Sequence, residues 1–166
     1  MAVRPVVRYP DPVLKRIARP VGAVTDRERR LAADLVDTMR DGPATVGLAA
    51  PQIGESVRAL VMDASGHPKA VHANGLVVLF DPELLEGHDA DVVREGCLSV
   101  PDLTANVRRP LRVAVRGLDA EGDERAYTME GFEARVFLHE LDHLDGLLIL
   151  DRIVSPSDLF ARKVYR

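Results

Sequence analysis

Cysteine, charge imbalance and long apolar runs are all scarce in this chain, and each shortage removes a class of protein. One cysteine in 166 residues, Cys97, excludes an intramolecular disulfide and leaves that thiol free for other chemistry. Lysine and arginine number 22 against 26 aspartates and glutamates, a net charge of −4, so no basic excess speaks for nucleic acid. Direct nucleic-acid binding is not expected, and a transient ribosome contact would need a small local patch. No stretch of about 18 apolar residues could span a membrane. The opening MAVRPVVRYPDP lacks the apolar run of a secretory signal and carries proline where that run would be, so cytoplasm is the expected compartment. With no repeat, low-complexity tract or dividing linker, residues 1–166 read as one domain.

What remains is an ordinary globular balance, 46% hydrophobic and 29% charged. The first clear element is a helix over about Asp26 to Arg40. Thr25 and Glu28 have capping-box spacing, Leu31, Leu35 and Met39 recur every four residues, and Gly42-Pro43 ends it. GLAAPQIG, Gly47 to Gly54, is too rich in glycine and proline for a regular element. Short strands are expected at Val57–Met62, Leu76–Phe80, Val92–Arg94, Leu111–Leu118 and Arg125–Met129. Their spacing leaves no room for crossover helices, which favours antiparallel or mixed sheet. A last helix, from about Gly131 to Leu144, is apolar nearly all round and should be buried. The fold class is α+β, a central helix enclosed by small sheets.

That helix carries HELDH: His139, Glu140 and His143 in H-E-x-x-H order. Residues four apart stand one turn above each other, so both imidazoles can reach one metal ion. Glu140 lies about 60–100° around the axis, suited to touching water at the metal rather than the metal itself. A catalytic site usually needs a third protein ligand. No histidine follows His143, and His67, His72 and His88 read as ordinary surface residues. Cys97, in REGCLSVP after a β-like run, is the better candidate. A lone cysteine is more often a small buried hydrophobe, but neighbouring Glu95 and Gly96 make that reading less comfortable.

GLAAPQIG at 47–54, EGCLSVP at 95–101 and HELDHLDG at 139–146 together resemble the signature segments of peptide deformylases, in that family's order. The likeness extends to Pro10-Asp11-Pro12 and to Asp81-Pro82-Glu83, so it covers most of the chain. It implies a hydrolase that removes the formyl group from N-formylmethionyl nascent peptides. Cys97, His139 and His143 would hold one Fe²⁺ per chain, replaceable by Zn²⁺, Ni²⁺ or Co²⁺. Glu140 would be the general base, and Gln52 with the Leu98 backbone N–H the oxyanion hole. Val46, Phe132 and Val136 would line the methionine pocket, while Gly47 and Gly96 would let the peptide approach as an added strand. The sequence departs from the family's usual pattern at Leu138, Asp81 and Glu133, none of which is a proposed ligand, base or oxyanion donor. A Glu95–Arg109 ion pair is expected to brace the Cys97 segment. Two other functions are set aside: a zinc endopeptidase, which lacks its further helical ligand here, and a peptide-binding module, which has no use for a base.

Overall fold

The computed structural model describes residues 2–163. Two helices, α1 (Asp26–Asp41) and α2 (Phe132–Leu144), accompany eight strands. The strands are β1 (Gly47–Ala49), β2 (Ala59–Asp63), β3 (Leu76–His88), β4 (Asp91–Cys97), β5 (Val100–Arg109), β6 (Arg112–Leu118), β7 (Glu124–Glu130) and β8 (Leu159–Ala161). They form a five-stranded sheet, β1-β2-β3-β6-β7, and a three-stranded sheet, β4-β5-β8, with every strand pair antiparallel. The α+β class is thus as expected.

Period-two alternation explains where the core lies. On β2, Leu60 and Met62 face α2, whereas Ala59 and Val61 face Leu35 and Met39 of α1. Both faces of this strand are covered, which is why it reads as a continuous apolar run. Helix α1 begins as its sequence demands: the Thr25 N–H donates to the Glu28 carboxylate at 2.9 Å. Helix α2 lies on the other face, with Ala134, Phe137 and Leu144 fully buried against that sheet. The three-stranded sheet has its own core, Val100, Ala105 and Val107 against Leu14, Leu148 and Ile149.

Several expectations need correction. Gly47–Ala49 is a strand and Ala50–Ile53 a 3₁₀ turn, so GLAAPQIG is more regular than its composition suggests. Strand β3 does not stop at Phe80 but runs on to His88. Pro82, which lacks an N–H, falls within a register shift between Phe80 and Glu83, where the ladder is already broken. Asp81 there has φ 47°, a left-handed conformation that aspartate and asparagine tolerate, and its carboxylate accepts the Val21 and Gly22 N–H groups. Strand β4 extends past Val92–Arg94 on both sides. Strand β5 escaped notice because one of its inward residues is Arg109, which hides the alternation. Gly131 is the cap of α2 rather than its first residue.

Candidate active site

Helix α2 and strand β4 meet where the two sheets approach each other. One turn of α2 separates His139 from His143, and β4 ends on Cys97 directly opposite. The ligand atoms of the three residues all lie within 4.8 Å of one another. Cys97 Sγ is 3.4 Å from His143 Nε2. A tetrahedral ion with bonds of about 2.3 Å to sulfur and about 2.0–2.1 Å to nitrogen would hold those atoms about 3.5 Å apart. The donors therefore fit one metal ion. A thiolate with two imidazoles suits a transition metal and not calcium or magnesium.

The imidazoles are set by what lies behind them. His139 Nδ1 is 2.9 Å from Glu95 Oε1; the carboxylate can only accept, so Nδ1 carries a proton. Burial pulls the His139 pKa down, but the hydrogen bond and charge of Cys97 and the hydrogen bond of Glu95 raise it well above its ordinary value, so Nε2 would offer a lone pair once a metal ion displaces its proton. Burial, with the charges of His139 and Arg109, pushes His143 well below its ordinary pKa, so this ring stays neutral. Burial also pushes the Glu95 carboxyl up, but the hydrogen bonds and charges of His139 and Arg109 reverse this and bring it down to about 2.

The expected Glu95–Arg109 pair is present, buried and bidentate, at 2.6 and 2.9 Å. It belongs to a larger network that sequence reasoning missed. Arg109 also donates to Asp142 at 2.9 Å, Arg135 donates to Glu95 at 2.6 Å, and Arg152 donates twice to Asp142 at 3.0 and 2.6 Å. One signal was available: Arg135 stands four residues before His139, on the same helical stripe.

Glu140 is 4% exposed, and its Oε2 is buried with no hydrogen-bond partner among the described residues. Burial lifts its carboxyl to about 7. Gly47 leaves room for it, since a Cβ there would lie 2.7 Å from Glu140 Oε1 and 2.9 Å from Val136 Cγ1. Gln52, 2% exposed, is fixed end to end: its Oε1 accepts the Ala49 N–H at 3.0 Å, so its Nε2 must face Ser99 Oγ, 3.2 Å away, and the Cys97 sulfur. Leu98 opens the turn that joins β4 to β5, outside the ladder.

A cleft of about 380 Å³ connects these groups, and Val46, Gly47, Gly96, Phe132 and Val136 are among the residues that line it. His67 lines it too. Its ring stacks on Phe132 with centroids 4.2 Å apart, so it is not the ordinary surface residue that its polar surroundings suggested. His72 and His88 are exposed and stand apart from the cleft. The loop that carries His67 is tied to α2 by Glu133, whose carboxylate accepts the Asn74 backbone and side-chain N–H groups at 2.6 and 2.5 Å. That pairing accounts for a buried charge at this position. Leu138 packs in the α2 core and borders a separate cleft beside Arg109 and Asp142.

Residues 3–158 match the family model for polypeptide deformylase. A peptide deformylase of Desulforudis audaxviator is 49% identical over 158 residues, 93% of this chain and 96% of that protein. The crystal structure of the Thermotoga maritima peptide deformylase superposes with a TM-score of 0.84 at 36% identity, covering 93% of this chain and all of that one. A class I type b peptide deformylase of Acinetobacter baumannii with Met-Ala-Ser bound gives a TM-score of 0.82 at 36% identity, covering 92% and 99%.

Proposed function

The chain belongs to the polypeptide deformylase family and removes the N-formyl group from nascent peptides, and we propose that it does so at Cys97, His139 and His143 with Glu140 as proton carrier. An unpartnered, buried carboxylate beside three convergent ligand atoms carries this reading. Cys97, His139 and His143 would hold one ferrous ion per chain, replaceable by zinc, nickel or cobalt, which would supply Lewis acidity towards water and the formyl carbonyl.

The chain's own groups do the rest. Glu140 takes a proton from the attacking water and passes one to the amine nitrogen as the C–N bond breaks and formate leaves. Gln52 Nε2 and the Leu98 N–H donate to the formyl oxygen as it becomes negative. Glu95 keeps the His139 Nδ1 proton in place, so the Nε2 lone pair stays aimed.

The formylmethionyl peptide lies as an extended strand between β1 and β4, each of which stands at the end of its sheet. Its methionine side chain enters between Val46, Phe132 and Val136, while Gly47 and Gly96 let the peptide main chain come close to the two strands. The Met-Ala-Ser complex of the Acinetobacter relative supports a ligand of this kind. No helix among the described residues is long and apolar enough to cross a membrane. A cytoplasmic enzyme that meets its substrate in transient contact with the ribosome fits the reading. Anaerobically handled protein should release formate from formyl-Met-Ala-Ser and leave the peptide bonds of a blocked peptide library intact. Cleavage inside the blocked peptides without formate release would exclude this function.

A further inference from the structure

Two arginines at the mouth of the cleft have no carboxylate partner among the described residues. Along β4, Glu95 and Cys97 point inward and are buried, so Arg94 and Gly96 present the opposite, exposed face. The Arg94 guanidinium is held there by the ring of Phe160, 3.5 Å from the ring centroid. Phe160 belongs to β8, and beyond that strand Arg162 reaches back across Thr104 to lie over Gly96. A Cβ at Gly96 would stand 3.1 Å from the Arg162 Nη2 atom, so the guanidinium occupies the space that a side chain would take. Lys69, on the facing wall, adds a third cation with no ion pair among the described residues. The carboxylates that line the cleft, Glu95 and Glu140, are both buried, and Glu95 is taken by Arg109, Arg135 and His139. Among the described residues that line the cleft, no exposed acidic side chain offsets the positive charge, although the chain as a whole carries −4.

We propose that Arg94 and Arg162 are specificity-determining residues that favour an aspartate or glutamate directly after the formylmethionine. This rests on the strand-like substrate pose proposed above. A peptide paired along the free edge of β4 shares the two faces of that sheet, and its side chains alternate between them. With methionine on the Val136 face, the next side chain falls on the face of Arg94 and Arg162. There two planar donors, one already fixed by an aromatic ring, can grip a carboxylate. Exposed charge pairs of this kind give up to about fivefold each, so about tenfold in kcat/KM is expected for the two arginines together.

The test compares formyl-Met-Glu-Ser with formyl-Met-Gln-Ser on metal-loaded, full-length protein at low ionic strength. The glutamate peptide should be favoured about tenfold. The preference should collapse towards one in Arg94→Gln/Arg162→Gln and in about 1 M salt, where screening shortens to about 3 Å. Arg94→Glu should turn the preference towards formyl-Met-Lys-Ser. A wild-type ratio near one, or a ratio that the double variant leaves unchanged, would overturn the proposal. Turnover of the glutamine peptide reports separately on the deformylase site. Should neither peptide be turned over, calorimetric binding of the products Met-Glu-Ser and Met-Gln-Ser decides between the same two outcomes.

Discussion

Glu140 and Gly47 make sense only as a pair. The carboxylate reaches the cleft because residue 47 has no side chain, and any Cβ there would meet both Glu140 and Val136. Glu140→Gln should lower kcat by about 10²–10⁴-fold while the protein keeps its metal, since the lost role is proton transfer. Gly47→Ala should also lower kcat, by displacing the same carboxylate. Because both changes act through one group, the double variant should be little worse than Glu140→Gln alone. Steady-state kinetics with metal analysis of each variant checks this, and independent, multiplying losses would break the link. Asn74 and Glu133 form a second such pair: neither residue type is explained by its own position until the other is seen beside it.

At the scale of elements, Arg109 joins β5 to β4 through Glu95 and to α2 through Asp142, so one guanidinium fixes the distance between two ligand-bearing segments. Arg109→Met would leave two carboxylates short of a partner in a buried place, and losing one member of a buried ionic network costs about 3–5 kcal/mol. Urea unfolding should show that loss; a variant of wild-type stability would mean that Arg135 and Arg152 suffice. The β6–β7 hairpin carries its own acid-sensitive brace. Arg125, donating to Asp119 at 2.7 Å, outweighs burial and, with the N–H groups of Asp123 and Glu121, holds the Asp119 carboxyl below its ordinary pKa. A depressed pKa means stability that is complete above the ordinary aspartate value of about 4 and is lost as pH falls through the folded value. Amide exchange at Glu121 and Asp123 should therefore quicken, relative to exchange in the unfolded chain, as pH drops below about 4. Asp119→Asn should remove that pH dependence.

For the whole molecule, the metal is expected to act as a clamp, because its proposed ligands come from α2 on one side and from the three-stranded sheet on the other. Chelation should lower Tm, and an ion present at about 1,000 times its Kd accounts for about 4 kcal/mol of stability. The same thiolate is the oxidisable ligand, so the iron-loaded enzyme should lose activity in air with oxygen added at Cys97. Cobalt- or nickel-loaded enzyme should outlast it, and Cys97→Ser should bind metal poorly. Mass analysis of Cys97 during aerobic inactivation checks the point, and iron enzyme that stays active in air with unmodified Cys97 would count against it.

The sequence by itself determined the parts whose physics is local. H-E-x-x-H on an apolar helix places two imidazoles one turn apart whatever surrounds them, the capping box starts α1, and three short motifs in one order marked the family. Cys97 stood out as the better third-ligand candidate on local grounds, and the resemblance joined it to α2 and supplied Gln52, which no periodicity could have done. Only the tertiary structure decided what fills the space between elements. Strand β5 stayed hidden because its inward arginine is paired across two other elements, and β3 ran past Pro82 because a register shift absorbed it. His67 became a wall of the cleft when Glu133 drew its loop onto α2. Each of these turns on a contact between residues far apart in the chain. A local pattern carries no trace of such a contact, because its energy exists only once folding has brought both partners together.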